Sequence, residues 1–304
     1  MRLFFIFFFS TIIALNVNAQ RDYIEVSNEV KDDRYEFYGI NTSSRVITVV
    51  VFFPKLQYLR STSRLPFVAA IQPGRKRLFQ LEKDGTGTPD FSYRYWSFYG
   101  VANPKVKDVL YAMPFKAEGK IKVMKVQQAR ELLGQEGTEG FRYYSFRLEP
   151  GTVITAARGG RIERIVSDNQ GNDNSLDYTR KRNQIEVRHK DGTLGVYQNF
   201  ANGSSKVKKG DDVLTGQALA LADDNSKTGR GSLIFGITYL EVKVEDDRDP
   251  KEWSTLKYVH PKFKLQSGEE YIDFSKEYGS FVDEALITQE MSKREKKKYL
   301  KSKN

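Results

Sequence analysis

The chain of 304 residues contains no cysteine and only two histidines, His189 and His260. The first absence excludes disulfides, thiolate zinc sites, iron–sulfur ligation and a cysteine nucleophile. The second leaves almost nothing for chemistry that needs a cluster of imidazoles. Long apolar runs are scarce as well: beyond residue 15 no segment approaches the ~20 apolar residues that cross a bilayer. Sustained heptads are missing, which excludes long coiled coils.

What is present is enough to fold. Apolar residues make up 39% and aromatic residues 13%, so the chain can bury a sizeable core. Its length suits roughly two domains of ~150 residues. The 49 Lys and Arg exceed the 39 Asp and Glu, giving a net charge of +10 that favours anionic partners such as nucleic acid, lipid or acidic polymers.

Arg2, the apolar residues 3–15 and small residues ending at Ala19 form the three-part pattern of a secretory signal peptide. The apolar run is short for a membrane anchor. No cysteine follows it, so lipidation there is excluded. The mature chain is expected to start near Gln20 and to be exported, without a transmembrane anchor. Nucleic acid then drops out as a partner. The expected setting is the periplasm or outer membrane of a Gram-negative bacterium.

Residues 34–40, 45–53, 67–71, 77–81 and 91–99 are β-branched and aromatic, with turn clusters at 72–74 and 84–90, which predicts a small β-sandwich. The alternation changes phase at Trp96, which predicts a bulge there. This aromatic run reads as a core strand rather than a sugar-binding platform. Residues 126–133 are a short helix candidate, 134–140 a loop and 168–182 a polar surface loop. From Gly151 onward, glycines punctuate very short β segments. In residues 207–219 both the apolar positions (Val207, Val213, Leu219) and the glycines (Gly210, Gly216) recur every six residues, as in a chain crossing between layers of a flattened barrel with glycine supplying positive φ at the corners. Residues 183–197 read as a hairpin about a turn at 190–192. Residues 280–304 read as a frayed basic helix in solvent, with contact to an acidic partner as the other reading.

Several stretches recur in a familiar order: 111–115, 146–153, 156–160, 189–192, Tyr197, Val207 with Gly210 and Asp211, Val213, Gly216 with Gln217, and 235–237. In order and spacing they resemble the lysostaphin/LytM-type zinc endopeptidases that cut peptidoglycan cross-bridges. The β-rich region in front resembles secreted members with an immunoglobulin-like amino-terminal domain. The resemblance implies an all-β fold: an immunoglobulin-like sandwich, then a LytM-type flattened barrel or sandwich, then a short basic helix. The expected organisation is a signal peptide at 1–19, a sandwich at 20–105, a LytM-type domain at 106–265 and a charged extension at 266–304.

Active members of that family hold zinc with a histidine and an aspartate from one segment and a histidine from a His-x-His pair, with further histidines assisting the water. Zinc needs three such ligands and an open position for water. Here Ser145 takes the aspartate position, Ser232 and Ile234 take the His-x-His pair, and the Tyr-x-His strand end reads Tyr197 to Asn199. No histidine precedes residue 189. The resemblance therefore implies a catalytically degenerate member with no catalytic residue, no metal and no cofactor. Ser145, Asn199, Ser232, Ile234 and Tyr197 mark its vacated site and a candidate ligand groove. The function expected is a binding, scaffolding or regulatory module in the cell envelope, acting through an envelope protein complex or peptidoglycan. Activation of a separate cell-wall hydrolase is the alternative. An active hydrolase would need a new carboxylate pair near Glu136, Glu139 or Glu149. A lipoyl-type carrier reading would rest on Lys125 and a tight hairpin.

Overall fold

The computed structural model describes residues 23–126, 142–168, 182–223, 231–245 and 249–302. The signal peptide, most of the helix candidate at 126–133, the loop at 134–140, Glu136, Glu139 and nearly all of the polar loop at 168–182 lie outside the described residues.

The amino-terminal part is a sandwich of two antiparallel sheets. One orders Ile24–Lys31, Arg34–Asn41, Gly74–Lys83 and Leu59–Ser61; the other orders Phe67–Ile71, Ile47–Gln57 and Asp90–Tyr99. This is the four-plus-three arrangement of an immunoglobulin-like sandwich. Its core holds Phe37, Val49, Val51, Ile71, Phe79 and Leu81. Phe37 stacks on Phe79 at 4.7 Å and meets Tyr93 edge-on at 5.1 Å. The first hairpin turns through Asp32 and Asp33, both at positive φ (48° and 59°), the backbone of a two-residue primed turn.

The bulge falls elsewhere than expected. Trp96 pairs regularly with Val50, and the register slips between Phe52 and Lys55 of the partner strand, beside Pro54, which has no N–H to give the ladder. The phase change at Trp96 has another cause. Tyr93 and Tyr95 pack into the sandwich core. Trp96 and Phe98 pack into a separate cluster with Val50, Val242 and Trp253. The strand is covered on both faces.

The second part is built on a nine-stranded antiparallel sheet. Its order is Asp212–Val213, Gly160–Val166, Gln184–Arg188, Leu194–Gln198, Gly231–Val242, Tyr143–Leu148, Ile121–Lys125 and Glu277–Tyr278, with Ser254–Tyr258 pairing the far half of Gly231–Val242. Two three-stranded sheets complete the layers, and the sheets do not close into a barrel. The core contains Phe115, Phe146, Ile185, Tyr197, Leu233, Phe235 and Phe263.

The six-residue spacing is realised directly. Val207, Val213 and Leu219 all enter this core, while Gly210 and Gly216 take φ of 90° and 81°. Gly160 departs from the corner expectation: it is small for lack of space, since a Cβ would lie 2.5 Å from the Arg188 carbonyl oxygen.

The carboxy-terminal residues are not a solvated tail throughout. Glu284–Thr288 (α1) buries Leu286. Gly216 packs against Val282. The basic helix Lys293–Lys301 (α2) is capped by Ser292 and Glu295 in a reciprocal capping box and buries no residue. No helix among the described residues is long and apolar enough to cross a membrane.

Candidate functional site

Alternation along the strands assigns side chains to the two faces of the nine-stranded sheet. Tyr144, Phe146 and Leu148 enter the core, as do Leu233, Phe235 and Ile237. Ser145, Ser232 and Ile234 therefore occupy the opposite, outer face. The register places Ser145 directly across from Ile234, and Ser232 across from Arg147. Gln198 pairs Ile234 on the other side, and Gln184 pairs Gln198. Met124 completes the row beside Ser145. Gln184, Gln198, Ile234, Ser145 and Met124 thus cross five strands in one line, with directly opposed neighbours ~5 Å apart.

This row is amide, apolar and hydroxyl in character. Gln198 Nε2 donates to Gln184 Oε1 at 2.8 Å. Ile234, at the centre, is 9% exposed. One step along, Tyr143 lies over Gly236, where a Cβ would come within 2.7 Å of the ring. The glutamines, Met124, Tyr143 and Arg147 were missed as site residues by sequence reasoning, although the alternation that places Ser145 outward places Tyr143 and Arg147 outward too.

Three expected groove residues lie off the row: Ser232, on the same face but paired with Arg147, and Tyr197 and Asn199. Tyr197 does not face the groove: it is wholly buried, and its hydroxyl accepts from the Ala157 N–H at 2.8 Å. The intervening strand position, Gln198, is the one that points outward. Burial holds the Tyr197 phenol far above its ordinary range. Asn199 follows the strand end with φ of 66°, its N–H donating to the Asn183 carbonyl. Lys125 ends a strand paired with Tyr144, so it does not sit on the tight hairpin a carrier lysine needs.

By the resemblance, Ser145 stands at the aspartate ligand position and Ser232 and Ile234 at the His-x-His pair, of which one member holds zinc in active members. That donor set does not fit zinc, which takes imidazole, thiolate or carboxylate. No group of three metal-binding residues is found among the described residues. His189 is elsewhere, fully buried. Its Nδ1 contacts the Gly159 carbonyl at 3.0 Å, and burial followed by the nearby Arg158 charge lowers its pKa to about 4. His260 stacks on Tyr271 at 4.4 Å.

At one end of this part sits a buried ionic cluster that no motif announced. Arg158 has no exposed surface. Its Nε and Nη2 donate to the two Glu290 carboxylate oxygens at 2.7 Å, and Nη1 donates to Asp191 at 2.9 Å and to the Tyr111 hydroxyl at 3.1 Å. Burial opposes the guanidinium charge, but the Glu290 hydrogen bonds and neighbouring acids outweigh it and keep Arg158 ionised. Glu290 lies between the two carboxy-terminal helices. Gln289 adds a two-point contact to the Leu110 backbone at 2.8 and 3.2 Å. Lys190 bonds both the Glu290 carbonyl and the Glu295 carboxylate.

The fold and this face define an all-β protein whose second part is layered on one large sheet with a polar outer surface. Residues 143–246 match the model of Peptidase family M23. No curated protein matches the chain. Among solved structures, the SpoIIQ–SpoIIIAH pore-forming complex is similar at 18% identity over 44% of this chain and 85% of that one, with a TM-score of 0.29. Csd3 from Helicobacter pylori is similar at 15% identity over 79% and 72%, with a TM-score of 0.28. A peptidase M23 candidate from Pseudomonas aeruginosa is similar at 13% identity over 62% and 86%, with a TM-score of 0.30.

Proposed function

We propose that this protein is a non-catalytic M23 homologue that serves the bacterial cell envelope as a binding or scaffolding module, engaging a protein partner or peptidoglycan through the outer face of its large sheet. The observation that carries this reading is the row across that face. Ile234 sits directly opposite Ser145 where the family resemblance calls for a metal-binding pair. An aliphatic side chain and a hydroxyl bind no zinc, so the chemistry that generates a nucleophilic water has no basis there. The remaining side chains suit extended peptide instead. Gln184, Gln198, Ser145 and Ser232 offer donors and acceptors around an apolar centre at Ile234. The signal-peptide pattern at the amino terminus supports export.

The test has two arms. Purified protein is assayed for peptidoglycan hydrolysis by zymogram and for bound zinc by metal analysis; no clearing and no stoichiometric zinc are expected. Envelope extracts, with and without wall digestion, are then passed over immobilised wild type and over a Gln198→Ala, Ser145→Leu variant. Retention of one protein or of muropeptide by wild type but not by the variant is expected. Wall cleavage, or retention unchanged by the variant, overturns the reading.

A further inference from the structure

Four residues beyond Gln184 on the same strand, Arg188 lines a cavity of about 350 Å3 where the second part meets the amino-terminal sandwich. Its walls come from both parts of the chain. Ser44 and Val46 belong to the sandwich, while Arg161, Glu163, Arg188 and Lys209 belong to the second part. A volume of this size lies at the lower end of the small-molecule range, and boundaries between folded units are a preferred place for such pockets.

The charges in it are unusual. Arg161 and Arg188 are directly opposed on neighbouring antiparallel strands. Like charges in that relation destabilise a sheet unless something neutralises them. Glu163 is the one carboxylate among these walls, and its two oxygens are already engaged: one accepts from the Val46 N–H at 2.8 Å, the other lies 3.2 Å from Arg188 Nε. Arg188 Nε is nonetheless buried without a well-directed hydrogen bond. Among the described residues the ion-pair partner of Arg161 is Asp212, at 3.7 Å, and both of those side chains are more than half exposed. Among the described residues Lys209 donates to the Ser44 hydroxyl, an uncharged partner in the other part of the chain. Three cations and one committed carboxylate leave a net excess of two positive charges facing a space large enough for a ligand.

The geometry points to this cleft as a binding site for a small oxyanion, a carboxylate or phosphate group whose oxygens bridge Arg161, Arg188 and Lys209. The fork of a guanidinium suits two-oxygen recognition, and lysine adds a point charge. Because Ser44 and Val46 complete the walls, a bound anion ties the sandwich to the large sheet. The site is independent of the outer-face row and of the function proposed for it.

The experiment titrates the full mature protein with inorganic phosphate and, separately, with N-acetylalanine, each at constant ionic strength set with sodium chloride. Binding is followed by calorimetry and by amide chemical shifts. Saturable binding in at least one arm is expected, with shifts at Gly210 and Val46; the arm that binds tighter identifies the oxyanion. Lys209→Gln and Arg161→Gln alter exposed side chains and leave the fold intact by circular dichroism. Each weakens binding about tenfold, as loss of one charged donor should, while Lys209→Arg retains it. Two results overturn the inference: no saturable response to either probe, or equal responses in wild type and the doubly substituted protein.

Discussion

Arg158 shows how much one residue can organise. A wholly buried guanidinium is tolerable only while its carboxylates are in place. Glu290→Gln keeps one acceptor but removes the charge, and should cost about 1–3 kcal/mol in urea unfolding; Glu284→Gln, on the neighbouring helix, serves as the reference and should cost ~0.5 kcal/mol or less. Equal effects of the two would show that the buried pair holds nothing. Acid should act in two stages. His189 titrates near 4 in the fold against 6.5 unfolded. The unfolded chain binds more protons in that window, so stability falls as pH drops from 6.5 towards 4, by up to roughly 3 kcal/mol. Glu290 and Asp191 are each pushed up by burial, but hydrogen bonds from Arg158 and Thr193 respectively, and the Arg158 charge, hold both below their ordinary range. Their contribution is complete above the unfolded carboxylate range and is lost below it, as pH falls through the folded values. His189→Gln should flatten the first stage and leave the second, which a stability profile from pH 7 to pH 3 would reveal.

At the scale of elements, one pair of substitutions tests the glycine that is small for lack of space. Gly160→Ala drives a Cβ into the Arg188 carbonyl, whereas Gly119→Ala meets nothing within 4 Å. The first should lower stability by about 1–3 kcal/mol and the second by ~0.5 kcal/mol or less in thermal or urea melts. The Gly210 and Gly216 corners were legible because period and residue type agree. So were the sandwich strands from residue 34 onward, the three-residue Leu59–Ser61 excepted, and the hairpin of 183–197, whose alternation is strong. The strand Ile24–Lys31 was not: only Ile24 and Val26 of its eight residues are buried, and its signal fades into charged edge residues. Arg158 was invisible for a different reason, since Glu290 lies 132 positions away and no local pattern links the two. The expected metal positions, by contrast, rest on residue identity read through the family resemblance. The row they join needed the register, which spacing does not supply.

For the whole molecule, the carboxy-terminal segment divides into a docked part and a helix that buries no side chain. Deleting residues 293–304 removes a helix with no buried side chain and one exposed ion pair, Lys190 with Glu295, worth about 0–1 kcal/mol. Thermal stability should barely change. Deleting 280–304 also strips Glu290 from Arg158 and Leu286 from its pocket, and should lower the melting temperature by roughly 10 °C or more. Similar melting curves for the two truncations would contradict the docking described above.

The strand Ile47–Gln57 has one more consequence. Val49 and Val51 belong to the sandwich core, while Val50 belongs to the cluster shared with Val242 and Trp253. Successive side chains of one strand are thus stitched into two different bodies. A tether placed on the sandwich would therefore act on the large sheet through these side chains as well as through the chain that joins the two parts.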